Sequence, residues 1–295
     1  MDESKLVMDK VGVIDLGTNT FNLLIAKVHE HHYSVLHKSK IAVKLGEGGI
    51  NKGVIASAAY QRGLDALKTH KKKFLDYEIK ACYAVATSAI RSADNGNEFV
   101  QDVQALLGIY INIIDGNKEA ELIYNGVRQA IDLTEKPKLI IDIGGGSTEF
   151  IIANRHDVFW KKSYQLGAAR LLELFKPQNP IVLEDFNAID LHLDNSLKDL
   201  LEIAETYEID RLIGSSGSFD TLAEMICCKK GDCSSWKKQP YYDFHLHDYS
   251  EIQRIIYAST IEERLKMKGL TPMRADMIVV SIIIINYILN NLTIH

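Results

Sequence analysis

Asp142 closes an apolar run that begins at Leu139. Gly144, Gly145, Gly146, Ser147 and Thr148 follow, and a second apolar run extends from Phe150 to Ala153. The pattern reads as strand, tight turn, strand. Glycines lack Cβ, so their N–H groups approach an anion closely, and concave arrays of such groups bind phosphate. Asp142 stands where the strand feeds the turn, a good position from which to hold a metal ion or a water. The helix-opening phosphate motifs do not fit. There is no Gly-Lys-Ser/Thr of a P-loop, and the glycines open no helix as a dinucleotide fingerprint requires. A glycine-rich hairpin with no ligand has the same spacing, so both readings stand at this level.

The stretch occurs twice. Val11 to Ala26 contains Asp15-Leu16-Gly17-Thr18-Asn19-Thr20. An ungapped overlay sets Asp15 on Asp142, Gly17 on Gly144 and Thr20 on Ser147, with Leu16, Leu23 and Leu24 on Ile143, Phe150 and Ile151. A Leu-Gly pair follows each copy, Leu45-Gly46 and Leu166-Gly167. Self-similarity of this kind suggests two similar domains whose phosphate turns face each other across a cleft, a usual place for small-ligand sites.

Three further groups bear chemistry. Thr87-Ser88-Ala89-Ile90-Arg91 follows an apolar strand, and its hydroxyls and planar guanidinium suit phosphate oxygens. Glu119 lies three and four residues before Leu122 and Ile123. Helical spacing therefore sets it in the first turn on the inward stripe of Leu122, Ile123, Gly126, Val127, Ala130 and Ile131, with Glu121 pointing the other way. A helix N-terminus favours an anion in any case, so capping and catalysis both explain an acid there. Gly214-Ser215-Ser216-Gly217-Ser218 joins a strand to a helix. It suits a further phosphate or a nucleotide base, and a plain strand-to-helix turn looks the same.

These residues need elements to position them. Residues 11–17, 20–28 and 33–45 read as a three-stranded meander, with His29 to His32 at a solvated turn. Val54 to Phe74 reads as a helix whose end carries the solvated run Lys71-Lys72-Lys73. A strand at Ala81–Ala86, a helix near 97–107 and a strand at 110–114 follow. After the second copy come a strand at Val158–Tyr164, a short helix stopped near Pro177 and one long amphipathic helix from Glu184 to Tyr207. Residues 229–248 read as a loop, and Tyr249 to Lys268 as a helix. Thr271-Pro272 restarts a helix through the apolar run to Asn290. Its isoleucines suit a strand, but its length and Thr-Pro start favour a buried helix. The domain junction falls near residues 126–137, giving domains 1–127 and 128–295.

The bulk properties set limits. A chain of 295 residues allows about two domains. Its 46% hydrophobic and 25% charged residues are ordinary for a soluble protein, and a net charge of −5 offers no basic footprint for nucleic acid. The N-terminal MDESKLVMDK has no signal-peptide core. The apolar stretch Met277 to Leu289 falls short of the ~20 residues a membrane span needs, so a cytoplasmic location and no membrane partner are expected. Cys227, Cys228 and Cys233 with His245 and His247 match no tetrahedral zinc spacing, and reduced thiols are expected.

Taken together, Asp15 to Thr20, Leu45-Gly46-Glu47-Gly48, Ala86 to Arg91, Glu119-Ala120, Asp142 to Glu149, Leu166-Gly167-Ala168 and the Gly214 to Ser218 turn resemble the Ppx/GppA family of exopolyphosphatases and guanosine pentaphosphate phosphatases. The resemblance runs from Val11 almost to the C-terminus. It implies an α/β fold of two actin-like, ribonuclease H-like domains, as in acetate and sugar kinases, Hsp70 and actin, with a cleft between them. It implies Mg²⁺-dependent hydrolysis of the terminal phosphoanhydride of polyphosphate or of pppGpp. Glu119 falls on the family's catalytic glutamate. Thr18, Asn19, Arg91, Gly144, Gly145, Gly146, Ser147, Gly217 and Ser218 are the expected phosphate-binding residues, and Asp15, Asp142 and Glu149 the expected metal ligands. Lys118 stands where relatives often carry a second glutamate, Ser218 replaces a common threonine, and Val280-Ser281 replaces a Gly-Ala pair. Relatives continue past His295 with a further strand, so the C-terminal edge is expected to be truncated.

The favoured activity is exopolyphosphatase. A pppGpp 5′-phosphohydrolase is the alternative within the family, with guanosine penta- or tetraphosphate as ligand. Outside it stand an actin-like kinase with a small acceptor and a non-catalytic (p)ppGpp sensor. A homodimer is left open, because the apolar C-terminal helix suits either a core or a dimer surface.

Overall fold

Burial alternates from residue to residue along Val11–Leu16 and Thr20–Ile25, setting one side chain in two against a core, and the chain there forms strands. The computed structural model describes residues 10–30, 32–292 and 294. It divides into two units, Met1–Asp115 and Gly116–His295. The helix carrying Glu119 therefore belongs wholly to the second unit, whereas the sequence reading put the junction after residue 127.

In the first unit β1 (Lys10–Leu16), β2 (Thr20–Val28) and β3 (Tyr33–Ala42) form an antiparallel meander. β4 (Ala81–Ala86) and β5 (Ile111–Ile113) extend it in parallel, giving the order β3-β2-β1-β4-β5. Helices α1 (Ser57–Asp76) and α3 (Gly96–Leu107) contribute Leu67, Phe74, Phe99 and Val103 to a core with Ile14, Leu16, Phe21 and Leu23. Between β4 and α3 lies the single turn α2 (Ser88–Arg91). Gly12 is required where α1 crosses β1, since a Cβ there would lie 2.3 Å from the Phe74 ring. At the β2–β3 turn His29 and His32 stack with centroids 4.3 Å apart, while His31 lies outside the described residues.

The second unit opens with α4 (Gly116–Ala130) and builds the order β8-β7-β6-β9 from β6 (Lys138–Ile143), β7 (Thr148–Ala153), β8 (Val158–Tyr164) and β9 (Leu212–Ser215). Every residue of β7 is buried, because the sheet is covered on both faces. Ala120, Tyr124 and Val127 of α4 meet Ile140, Ile151, Ala153 and Ile213 on one side. On the other, Leu139, Ile141, Phe150 and Ile152 join a core shared with α5 (Ala168–Phe175), α6 (Leu183–Ser196), α8 (Gly217–Lys229), α9 (Leu246–Ala258) and α11 (Ile278–Asn291). The run from Ile278 to Ile288 is buried throughout, which makes α11 a core helix, as a helix apolar all round must be. Among the described residues no helix is long and apolar enough to cross a membrane.

Three sequence expectations are corrected. The long helix from Glu184 to Tyr207 breaks at Leu197 into α6 and α7 (Lys198–Ala204). There Asn195 and Ser196 donate side-chain hydrogen bonds to the Leu191 and His192 carbonyls and compete with the backbone ladder. The helix from Tyr249 to Lys268 stops at Ala258 and restarts as α10 (Ile261–Arg264) under a Thr260–Glu263 capping box, a signal present in the sequence. Cys228 and Cys233 are joined in a disulfide rather than reduced, while Cys227 and Cys82 are free. Gly231, at φ 95°, and the Asp232 N–H bond to the Cys227 carbonyl fold the chain back at the end of α8 and bring the two sulfurs together.

Candidate active site

The two hairpins close identically. Leu16 pairs with Phe21 and Ile143 with Thr148, so each turn is four residues, and the ungapped overlay is the structural one. Gly17 N–H donates to Thr20 O (3.1 Å) and Gly144 N–H to Ser147 O (3.0 Å). The Leu-Gly pairs downstream lock these turns. Gly46 N–H donates to Thr18 O, and the Val43 and Lys44 N–H groups to Asn19 O. In the second unit Ala168 N–H donates to Gly144 O (2.9 Å), and the Ala169 and Arg170 N–H groups to Gly145 O. Gly167 must be glycine, since its Cβ would lie 2.4 Å from the Gly145–Gly146 peptide. With its carbonyls taken on one side, the turn is left with the N–H groups of Gly145 and Gly146 on the other, where an anion fits.

The hairpin register sets opposite residues face to face. In the second unit Asp142 pairs with Glu149, and in the first Asp15 pairs with Asn22. Glu149 is 1% exposed, and its pKa is pushed up to about 8. Burial is the largest cause, the charges of Glu119 and Asp142 add to it, and hydrogen bonds from Ser163 and Ser147 oppose it. Ser163 Oγ donates to Glu149 Oε1 at 2.6 Å. Glu119 and Asp142 thus each lie within electrostatic reach of Glu149. Carboxylate oxygens are hard donors of the kind a divalent cation such as Mg²⁺ takes, so these three acids are the residues that would hold one. In the first unit burial raises the Asp15 pKa, against the Asn22 amide, which donates to Oδ2 at 2.9 Å, and the Lys40 charge. Asn22 Oδ1 beside it is buried with no partner, an oxygen donor that also suits a cation.

Helix α4 places Glu119. Its first residue, Gly116, packs on Ser163, whose Cβ would lie 2.4 Å from a Cβ at 116. The buried stripe is Ala120, Tyr124 and Val127. Leu122 is 44% exposed and Gly126 faces open space, so the stripe is turned from the one read in the sequence, and Glu119 sits half-buried at its edge. The aromatic Tyr124, which reading by apolar residues alone passes over, anchors the helix by donating its hydroxyl to Asn154 O.

Arg91 in the first unit donates Nη1 to Ile114 O at 3.0 Å. At the strand-to-helix turn Ser216 holds φ 69° and donates Oγ to Ile143 O, which ties this turn to the end of β6. Ser218 is buried and hydrogen-bonds Ser281 of α11 at 3.0 Å, and Thr221 donates to Gly217 O. Arg274 covers Gly217, with a guanidinium nitrogen 1.9 Å from where a Cβ would stand, and the Asp220 and Asp142 charges oppose the fall that burial causes in its pKa. Arg274 is a cation beside Asp142 that the sequence reading left unassigned. Its only signal was an arginine after Thr271-Pro272. Elsewhere His247, Asp248 and Glu251 converge, but Lys230 and Lys229 already pair with the two acids.

The mixed α/β architecture, with two sheets built alike around glycine hairpins, is shared with a family of phosphatases. The Ppx/GppA phosphatase family profile matches residues 24–295, and the chain belongs to that family. A crystal structure of an exopolyphosphatase from Cytophaga hutchinsonii superposes with TM-score 0.93 and 38% identity, covering 96% of this chain and 91% of that one. A family member from Aquifex aeolicus has the same fold, with TM-score 0.73 and 24% identity over 96% of this chain and 90% of its own. The guanosine-5′-triphosphate,3′-diphosphate pyrophosphatase of Photobacterium profundum is 29% identical over 219 residues, 74% of this chain. The match spans 44% of the length of that relative.

Proposed function

We propose that the protein hydrolyses the terminal phosphoanhydride of inorganic polyphosphate and releases phosphate. The observation that carries this reading is the trio Glu119, Asp142 and Glu149 beside a glycine turn whose carbonyls are all held from behind. Phosphoryl transfer depends on positioning and charge stabilisation more than on covalent chemistry, and this site is built for both. The N–H groups of Gly145, Gly146 and Ser147 bind oxygens of the terminal phosphate. Glu119 accepts a proton from the water as the water oxygen bonds to the terminal phosphorus, the bridging P–O bond breaks, and the shortened chain departs as an anion while the terminal phosphorus is released as orthophosphate. Asp142 and Glu149 would hold Mg²⁺, which would neutralise phosphate charge there. Thr18, Asn19, Arg91 and the Gly217–Ser218 turn are further phosphate contacts in this reading, and Asp15 a further cation ligand.

Polyphosphate is placed first because the 38% identical structure is named an exopolyphosphatase. A pppGpp 5′-phosphohydrolase is the second reading, favoured by the name of the Photobacterium relative. One assay separates them: phosphate release from long polyphosphate, tripolyphosphate and pppGpp, with and without Mg²⁺. Release from polyphosphate at a kcat/KM above that for pppGpp is expected. The reverse order assigns the second reading. Tight pppGpp binding with no release from any substrate makes the protein a sensor and ends the hydrolase proposal.

A further inference from the structure

A trans peptide is planar, so its C=O and N–H point in opposite directions, and whatever holds a carbonyl aims the next N–H. Three peptides make up the second glycine turn. Ala168 N–H holds Gly144 O and so aims the Gly145 N–H. The N–H groups of Ala169 and Arg170 hold Gly145 O and aim the Gly146 N–H. Backbone donors stop there. The third carbonyl, Gly146 O, is held by a side chain, Arg170 Nε, at 2.9 Å.

Arg170 is 7% exposed on α5, next to the Leu166-Gly167 pair that packs on the turn. Desolvating a guanidinium is costly unless it is hydrogen-bonded, and a charged donor makes a stronger bond to a carbonyl than a neutral one. We propose that Arg170 is a positioning residue for phosphate binding. By fixing the Gly146–Ser147 peptide it aims the Ser147 N–H into the same concavity as the two glycine N–H groups. The inference rests on the reading of this turn as the phosphate site and adds the residue that completes it. The first-unit turn is held by backbone donors at Thr18 O and Asn19 O, so this use of an arginine belongs to the second turn.

The test compares wild type with Arg170→Met, which keeps the apolar stem as far as the Nε position without a donor, and Arg170→Lys, which keeps a cationic donor. Three readouts are taken: kcat and KM on tripolyphosphate, melting temperature, and the ¹H–¹⁵N shifts of the Gly145, Gly146 and Ser147 amides on adding pyrophosphate. Losing a charged hydrogen bond is expected to raise KM about tenfold in Arg170→Met, with a smaller change in kcat and partial recovery in Arg170→Lys. The Ser147 amide shift is expected to vanish in Arg170→Met and persist in Arg170→Lys. An unchanged KM and Ser147 shift in Arg170→Met overturns the inference. So does an equal loss in both variants that follows the melting temperature, which would mean a purely structural role. Wild type that releases no phosphate but still shows the pyrophosphate shifts sinks the hydrolase reading while leaving this one standing. Wild type without either response sinks both.

Discussion

Asn22 and Glu149 occupy the same place in two copies of one hairpin, opposite Asp15 and Asp142 respectively. An amide there satisfies its acid, whereas a second acid repels it, so the stronger call for a cation lies in the second unit. The overlay of the two stretches already aligned these positions, but which residues face each other across a hairpin is a matter of register. On the proposed reading Glu119 carries the chemistry at this scale. Glu119→Gln keeps the shape and removes the base, so phosphate release should fall about 10²–10⁴-fold with little change in melting temperature. A rate near wild type would take the base role from Glu119. A second residue was silent in the sequence. His70 of α1 is fully buried, with Nε2 at 3.3 Å from Phe21 O and Nδ1 without a partner. Burial, aided by His37, lowers its pKa below 6.5, although the Phe21 carbonyl opposes this. The unfolded chain therefore takes up a proton that the fold refuses. Stability present above pH 6.5 should be lost as pH falls through that value toward the lower folded pKa. Urea titrations at pH 7.5 and 5.5 should show a smaller acid loss in His70→Gln than in wild type, and equal losses would contradict this origin.

Elements owe their positions to contacts that spacing alone does not disclose. The Leu-Gly pair after each hairpin was visible as a repeat, but its task, bringing the N–H groups at or beside it onto the turn carbonyls, became visible only in the fold. Two glycines give a matched test. A Cβ on Gly167 would meet the Gly145–Gly146 peptide at 2.4 Å, whereas one on Gly126 meets nothing within 4 Å. Gly167→Ala should displace the turn and lower kcat/KM by roughly tenfold or more. Gly126→Ala, in an exposed helix interior, should leave activity intact and add about 1 kcal/mol of stability. Similar kinetics in the two variants would show that α5 does not hold the turn. The helices divide along the same line. Periodicity found α1, and length with a Thr-Pro start found α11, while the break at Leu197 depends on which hydroxyls and amides bend back onto carbonyls.

For the molecule as a whole, the second unit combines a sheet covered on both faces with an acid trio at one end of it. A cation that binds only the folded chain stabilises it, by about 2.7 kcal/mol at 100 times its Kd. Mg²⁺ should therefore raise the melting temperature of the full chain, and Glu149→Gln, which removes a cation ligand, should shrink that rise; it also removes an acid whose pKa folding raises, and so should stabilise the metal-free protein near neutral pH. A Mg²⁺ response equal to wild type in Glu149→Gln would remove Glu149 from the cation site. What the sequence determined was whatever repeats locally: two hairpins, their glycines, the run of strands and helices, and the absence of a basic footprint. These follow from side-chain period and backbone freedom, which neighbouring residues settle among themselves. Only the tertiary structure decided that burial and two neighbouring acids raise the Glu149 pKa, that α4 turns Leu122 outward and Tyr124 inward, and that Arg170 and Arg274 stand against the turns. Charge state, helix rotation and the partner of a buried cation depend on residues tens of positions away, which meet only when the chain has folded.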